Sequence, residues 1–298
     1  METERASPRF SHLDEWDTAD ILDCMIEAQF AAAAAVHAAR PAIARAAAAM
    51  EERLRHRGRL IYAGAGTSGR LAVQDGAELV PTFDWPEERL LFLIAGGQEA
   101  LWRSIEGAED DVEKAAEFLA HHDVGANDVL IVVAASGTTP FAVAALRAAK
   151  QRAALTVGIA NNVNTTILQE SDCSVWLDTG SEVIAGSTRL KAGTAQKITL
   201  NALSSLLMIR LGKVYSGLMT DVRATNEKLL RRSERILSQL TGHNSIDARE
   251  ALQRAGGNLK VALLLLKGFE PREAERILAE RDGDLRKALS DFPLPRDS

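Results

Sequence analysis

The chain has 298 residues, enough for one large α/β body or for one core with a smaller appendage. Hydrophobic residues make up 46%, charged residues 26% and aromatics only 5%, the balance of a soluble globular protein rich in closely packed helices. A net charge of −6 without a long basic block argues against nucleic acid as a partner, apolar runs interrupted by charges argue against a membrane span, and two distant cysteines, Cys24 and Cys173, read as thiols of a reducing cytoplasm.

The opening stretch METERASPRFSHLDEWD is polar and acidic, unlike a secretory signal, and residues 1–12 read as a loose arm. Helical periodicity runs from Thr18, as a cap, to Arg40, and Pro41 starts a second helix reaching about Arg55. The alanine runs at 31–35 and 46–49 form helix strongly and permit close packing, either as cover for a sheet or as half of a dimer interface.

From Arg59 the pattern alternates. Short apolar runs at 59–63, 90–95, 128–134, 154–159 and 173–177 read as strands of a parallel sheet covered on both faces. Helices fall near 68–79, 98–106, 111–122 and 140–151. The expected fold class is α/β: a doubly wound, mainly parallel five-stranded sheet within 58–240, preceded by an arm and helices at 1–57. Gly186-Ser187 reads as the cap of a long helix to about Leu211, and another helix runs from about Asp221 to Leu240. Beyond Gly242, short amphipathic helices separated by Gly256-Gly257, Gly268 with Pro271, and Gly283 predict a small bundle at 241–298. That bundle holds no cluster of catalytic residue types and reads as structural or as a partner surface.

Ligands of a doubly wound sheet bind at the carboxyl ends of its strands, which here are the loops 64–69, 95–98, 135–140 and 160–164. The first, Gly64-Ala65-Gly66-Thr67-Ser68-Gly69, matches GxGxxG between a strand and a helix. A dinucleotide site also needs an acidic residue at the tip of the second strand, and that strand ends Ile94-Ala95-Gly96-Gly97. Thr67 and Ser68 instead supply hydroxyls suited to a phosphate monoester beside free helix amides. A tight turn without a ligand is the bland alternative. The third loop, Ser136-Gly137-Thr138-Thr139-Pro140, repeats the design, with Pro140 starting the helix. Two such turns on one sheet point to a sugar phosphate. The six histidines show no metal-ligand spacing, and neither a metal nor an organic cofactor is expected.

The sequence GAGTSGR followed by Asp75-Gly76-Ala77-Glu78, then IAGG, EGAEDD, ASGTTP, EVIAGSTRLKAGTAQK and TNEKL, resembles the N-acetylmuramic acid 6-phosphate etherases. These belong to the wider sugar isomerase (SIS) class and are related to the glucokinase regulatory protein. The resemblance runs from about Arg59 to Leu229 and continues more weakly through the helical tail. It implies cleavage of a lactyl ether on a phosphosugar, a small-molecule sugar phosphate as partner, and a homodimer with its site near the interface. A phosphosugar isomerase, or a non-enzymatic sugar-phosphate sensor, are the alternatives on the same fold.

By themselves, Glu78 and the Glu109-Asp110-Asp111 run read equally well as an exposed helix glutamate and as acidic residues at a helix N-terminus. The resemblance implies that Glu78 is the acid that protonates the departing ether oxygen and Glu109 the base. Two carboxylates suit the chemistry. In the open-chain sugar the C2 proton lies next to an aldehyde and can be removed by a carboxylate. The C3 lactyl oxygen leaves only if protonated, so one group must be ionised and the other neutral. Glu182, Ser187, Lys191 and Lys197 fall in the stretch that resembles the family signature, Ser187 as a helix-terminal hydroxyl and Lys191 as a counter-charge; Asn226 and Glu227 complete the site or pack helices. The chain departs from the usual family pattern at Gly76-Ala77 and Leu79-Val80, at Thr138 in place of an arginine, at Asn161-Asn162-Val163-Asn164 in place of an Asn-Pro turn, and at Ala6 after Arg5.

Overall fold

A computed structural model describes residues 1–55, 57–222 and 227–291. The chain divides into two compact units, one of Met1–Ala77 with Glu87–Ser205 and one of Glu78–Pro86 with Leu206–Ser298.

The first unit opens with two helices, α1 (Thr18–Ala38) and α2 (Arg40–Arg55). Five strands follow, β1 (Leu60–Gly64), β2 (Leu90–Ile94), β3 (Val129–Val133), β4 (Leu155–Ala160) and β5 (Cys173–Trp176). They form one parallel sheet in the order β2-β1-β3-β4-β5. Helix α3 (Gly66–Ala77) packs on β1 and β2, and α2 on β4 and β5. Helices α5 (Val112–His121) and α6 (Pro140–Gln151) cover the other face, where Ile61, Ala63, Leu93, Leu130 and Val132 meet Leu119, Phe141, Ala145 and Leu146. All five residues of β3 are buried, which is why VLIVV shows no alternation. The short α7 (Thr166–Glu170) and the long α8 (Lys191–Arg210) complete the order, although the last turn of α8 falls in the second unit.

Four local expectations change. The helix expected over 68–79 ends at Ala77, and a separate short helix, α4 (Leu79–Phe83), follows. Pro81 has no N–H to give the Ala77 carbonyl, so the helical ladder cannot continue. The expected helix at 98–106 is only a 3-10 turn, Gln98–Leu101, because the Arg70 guanidinium takes the carbonyls of Ala100 and Arg103 at 2.8 and 2.9 Å. The arm is not loose: residues 2–4, 8–10 and 13–15 form 3-10 turns, and Thr3 is fully buried. Finally, α1 is long and apolar enough to cross a membrane by length and composition alone, with 22% of that window buried. It leaves Leu22, Ile26 and Phe30 exposed at helical spacing.

In the second unit, β6 (Val214–Tyr215) and β7 (Leu218–Met219) pair antiparallel through Ser216-Gly217, both at positive φ. This hairpin is absent from the sequence expectations, because Ser-Gly is not among the Asn-Gly, Asp-Gly and Gly-Gly pairs that usually signal such a turn. Helices α9 (Glu227–Thr241), α10 (Ser245–Arg254), α11 (Leu259–Leu266), α12 (Pro271–Glu280) and α13 (Leu285–Asp291) follow. Asn244 and Asn258 accept from the first amides of α10 and α11 as caps. Helix α11 is not amphipathic: residues 259–265 are all buried, Lys260 among them. Its Nζ donates to the carbonyls of Gly212 and Gly283 and pairs with Asp221. Burial pushes the Lys260 ammonium below its ordinary range, against the pull of Asp221.

Candidate functional site

The chain leaves β1 toward β2 on one side and continues through β3, β4 and β5 on the other, so the sheet reverses direction of growth between β1 and β3. Crevices open at the carboxyl ends of such strands. The loops at 64–69 and 135–139 emerge there, from strands paired Gly64 to Val133.

Glycines 64 and 69 let α3 stand directly on β1. A Cβ on Gly64 would lie 2.9 Å from the Gly69 nitrogen and from the Val133 carbonyl oxygen, and one on Gly69 would lie 2.8 Å from the Gly64 oxygen. The amide of Gly69 bonds to Ala65 at 3.0 Å, so the amides of Gly66, Thr67 and Ser68 precede the helical ladder and are the ones free for an anion. Ser68 is buried and Thr67 half-buried. Gly66 has φ +53°, and a Cβ there would come 3.1 Å from Glu109 Oε1. The loop thus carries a carboxylate against its backbone, delivered by the 3-10 turn Ala108–Asp110 that precedes α5. Next to Glu109, Asp111 caps α5 by accepting from the Lys114 amide at 3.2 Å.

In the second loop, Ser136 Oγ lies 3.1 Å from Thr139 Oγ1 and accepts from the Thr138 amide at 3.2 Å. Gly137 has φ +71°, and a Cβ there would collide with the Thr165 side chain. Its carbonyl accepts from Ile167, which fixes the loop against α7. Thr138 is exposed and Thr139 half-buried at the start of α6, ahead of Pro140.

The start of α8 joins the first loop: a Cβ on Gly193 would stand 3.5 Å from Thr67 Cγ2. The expected cap at Gly186-Ser187 is displaced. The helix begins at Lys191, and the buried Glu182 carboxylate caps it, accepting from the amides of Lys191 at 3.2 Å and Ala192 at 2.9 Å. Both Glu182 oxygens are used by backbone, and Ser187 sits instead in a turn closed by Ser187–Ile184 and Leu190–Ser187 bonds. Burial pushes the Glu182 carboxyl up, against the two amides and the neighbouring lysine. Burial likewise pushes the Lys191 ammonium down, against Glu182.

A set of buried polar residues that the sequence pattern does not single out joins these elements. Gln196 donates to Asn161 Oδ1 at 2.9 Å, and Asn161 donates to Leu177 and Thr179. Asp75 accepts from Tyr62 at 2.7 Å, from Asn201 at 2.6 Å and from Ser204 at 3.1 Å, binding α3 to α8. Asn-Asn after a strand, and a polar residue on the inner face of a helix, were the available signals. Lys197 is exposed and bonds Asn201 at 2.8 Å.

Glu78 belongs to the second unit, exposed in right-handed helical backbone at the N-cap of α4, its carbonyl accepting from Thr82. Glu227 is exposed at the first position of α9, and Asn226 lies outside the described residues.

The chain is 48% identical over 290 residues to the N-acetylmuramic acid 6-phosphate etherase of Deinococcus radiodurans, covering 97% of this chain and 95% of that protein. The chain belongs to the N-acetylmuramic acid 6-phosphate etherase family. The enzyme of the same name from Streptomyces avermitilis is 45% identical over 294 residues, covering 98% and 94%. Residues 42–150 match the glucokinase regulatory protein N-terminal SIS domain, and 101–206 the SIS domain. Among solved structures, a phosphoheptose isomerase from Francisella tularensis shares the fold, with a TM-score of 0.51 and 20% identity over 65% of this chain and all of that one. The etherase family thus supplies the kinship, and the SIS fold the sheet on which the loops at 64–69 and 135–139 are mounted.

Proposed function

We infer that this protein cleaves the D-lactyl ether of N-acetylmuramic acid 6-phosphate, giving N-acetylglucosamine 6-phosphate and D-lactate. The observation that carries the inference is near full-length kinship with etherases at 41 to 48% identity. On this reading the phosphate sits on the amides and hydroxyls of residues 66–69 and 136–139, and Lys191 supplies a counter-charge. Glu109, whose carboxylate borders Gly66, removes the C2 proton of the open-chain sugar. Glu78 gives a proton to the C3 lactyl oxygen as the C–O bond breaks, leaving an unsaturated aldehyde. Water then adds at C3, with the proton returned to C2. The 3.1 Å approach of Glu109 to the Gly66 backbone supports a place for that carboxylate in the site, and the division between acid and base follows the family resemblance. Glu182 accepts from the amides of Lys191 and Ala192 and so holds the start of α8, and with it Lys191, at the site.

The enzyme works in the cytoplasm as a homodimer, and the exposed stripe Leu22, Ile26 and Phe30 on α1 suits an interface between two copies. The activity is tested by incubation with the substrate in ¹⁸O-labelled water. Release of lactate with label at C3 of the product is expected. Aldose–ketose interconversion without lactate would point to an isomerase, and binding without turnover to a sensor.

A further inference from the structure

We propose that Thr3 is a positioning residue of the sugar-phosphate site, holding three of its segments in register from the N-terminal arm. The contacts stand on geometry; their consequence for turnover rests on the etherase reading. Thr3 is fully buried although it lies in a polar stretch. Its N–H donates to Asn162 Oδ1 at 3.3 Å, and its hydroxyl accepts from Asn162 Nδ2 at 2.9 Å. Its carbonyl accepts from the Gly186 amide at 3.1 Å. Asn162 Nδ2 also donates to the carbonyl of Ala135, the residue before Ser136, at 2.8 Å.

One residue therefore links the turn after β4, the base of the second hydroxyl-rich loop, and the segment between Glu182 and Lys191. Gly186 has φ +74°, and a Cβ there would come 2.8 Å from Glu4 Oε2, so the arm lies directly on this glycine. The segment 183–190 is anchored behind by Glu182 on α8 and in front by the arm. Freed from the arm, it would sample more conformations, and substrate would have to order it on binding. That cost falls on affinity and leaves the chemical step intact.

The test uses the full chain carrying Thr3→Val, Thr3→Ser or a deletion of residues 2–5. Thr3→Val keeps the shape and removes the acceptor for Asn162. It is expected to raise KM for the sugar phosphate about three- to tenfold, the worth of one buried hydrogen bond, with kcat within about twofold. Thr3→Ser restores KM, and the deletion raises it further. Hydrogen exchange of the peptide covering 183–190, without substrate, speeds up in the deletion variant. Unchanged KM with unchanged exchange overturns the proposal. So does a fall in kcat that tracks lost thermal stability and is not rescued by serine. If the unaltered protein releases no lactate, the etherase reading fails, and the exchange measurement alone decides the role of Thr3: faster exchange supports it and unchanged exchange overturns it.

Discussion

The Glu109 carboxylate stands against the backbone of Gly66, its Oε1 3.1 Å from the point a Cβ would occupy. Gly66 holds φ at +53°, where a side chain costs about 1–2 kcal/mol. Gly66→Ala therefore strains the loop and moves the carboxylate at once. We expect kcat/KM for lactate release to fall at least about tenfold, while the thermal midpoint drops by only about 2–8 °C. Steady-state kinetics beside a melting curve checks both, and an unchanged kcat/KM would count against a working role for Glu109 at this loop.

The two glutamates are separable by isotope. Glu78→Gln should still exchange the C2 proton with solvent while lactate release falls by about 10²–10⁴-fold, the usual worth of a general acid. Glu109→Gln should lose both. Proton NMR in deuterated water reads the exchange. Loss of exchange in the Glu78 variant alone would reverse the acid and base assignments.

Asp75 gathers three donors, Tyr62, Asn201 and Ser204, in a buried network. Asp75→Ala leaves those groups without their acceptor and should cost about 2–4 kcal/mol in urea unfolding. Burial, then the Asp75 carboxylate, hold the Tyr62 phenol well above its ordinary value. A folded pKa above the unfolded one contributes stability that is present below about pH 10 and lost as pH rises further. In a Tyr215→Phe background, which leaves Tyr62 as the one tyrosine of the two in the chain, phenolate absorbance should appear only with alkaline unfolding. Reversible titration of the folded protein near pH 10 would contradict this.

At the amino ends of β1 and β3, Asp128 bonds Arg59 at 2.7 Å and the amides of Gly125 and Arg59 at 2.9 Å each. Burial opposes its charge, but Arg59 and those amides outweigh burial and hold the carboxyl below its usual range. The folded pKa lies below the unfolded one, so the stabilisation is present above about pH 4 and lost as pH falls through the folded value. Asp128→Asn should lower stability at neutral pH and flatten the acid limb of the unfolding curve. An acid limb of unchanged slope would show that the pair contributes nothing there.

Phe30→Glu places a charge in the exposed stripe of α1. If that stripe joins two copies, light scattering should show the dimer shifting to monomer at micromolar concentration. A variant that stays dimeric moves the interface elsewhere.

The strand and helix alternation, the glycine- and hydroxyl-rich turns at 64–69 and 136–139, and the glycine breaks of the terminal bundle were legible in the sequence, because each is written in a few consecutive residues. The misses follow the same logic. The break at Glu78 depends on a proline three residues ahead, and the shortened turn at Gln98–Leu101 on a guanidinium from α3. The cap of α8 is not the nearby Ser187 but Glu182, nine residues before the first residue of the helix.

By itself, then, the sequence determined the layered α/β class, the two candidate phosphate turns and, through family resemblance, the reaction. Local hydrophobic period and turn chemistry suffice for the first two. Only the tertiary structure decided that Glu109 lies on Gly66, that Glu182 caps α8 from nine residues away, and that Thr3 reaches Asn162 and Gly186. Those meetings depend on which loops the strand order β2-β1-β3-β4-β5 brings side by side, and no spacing along the chain encodes that order.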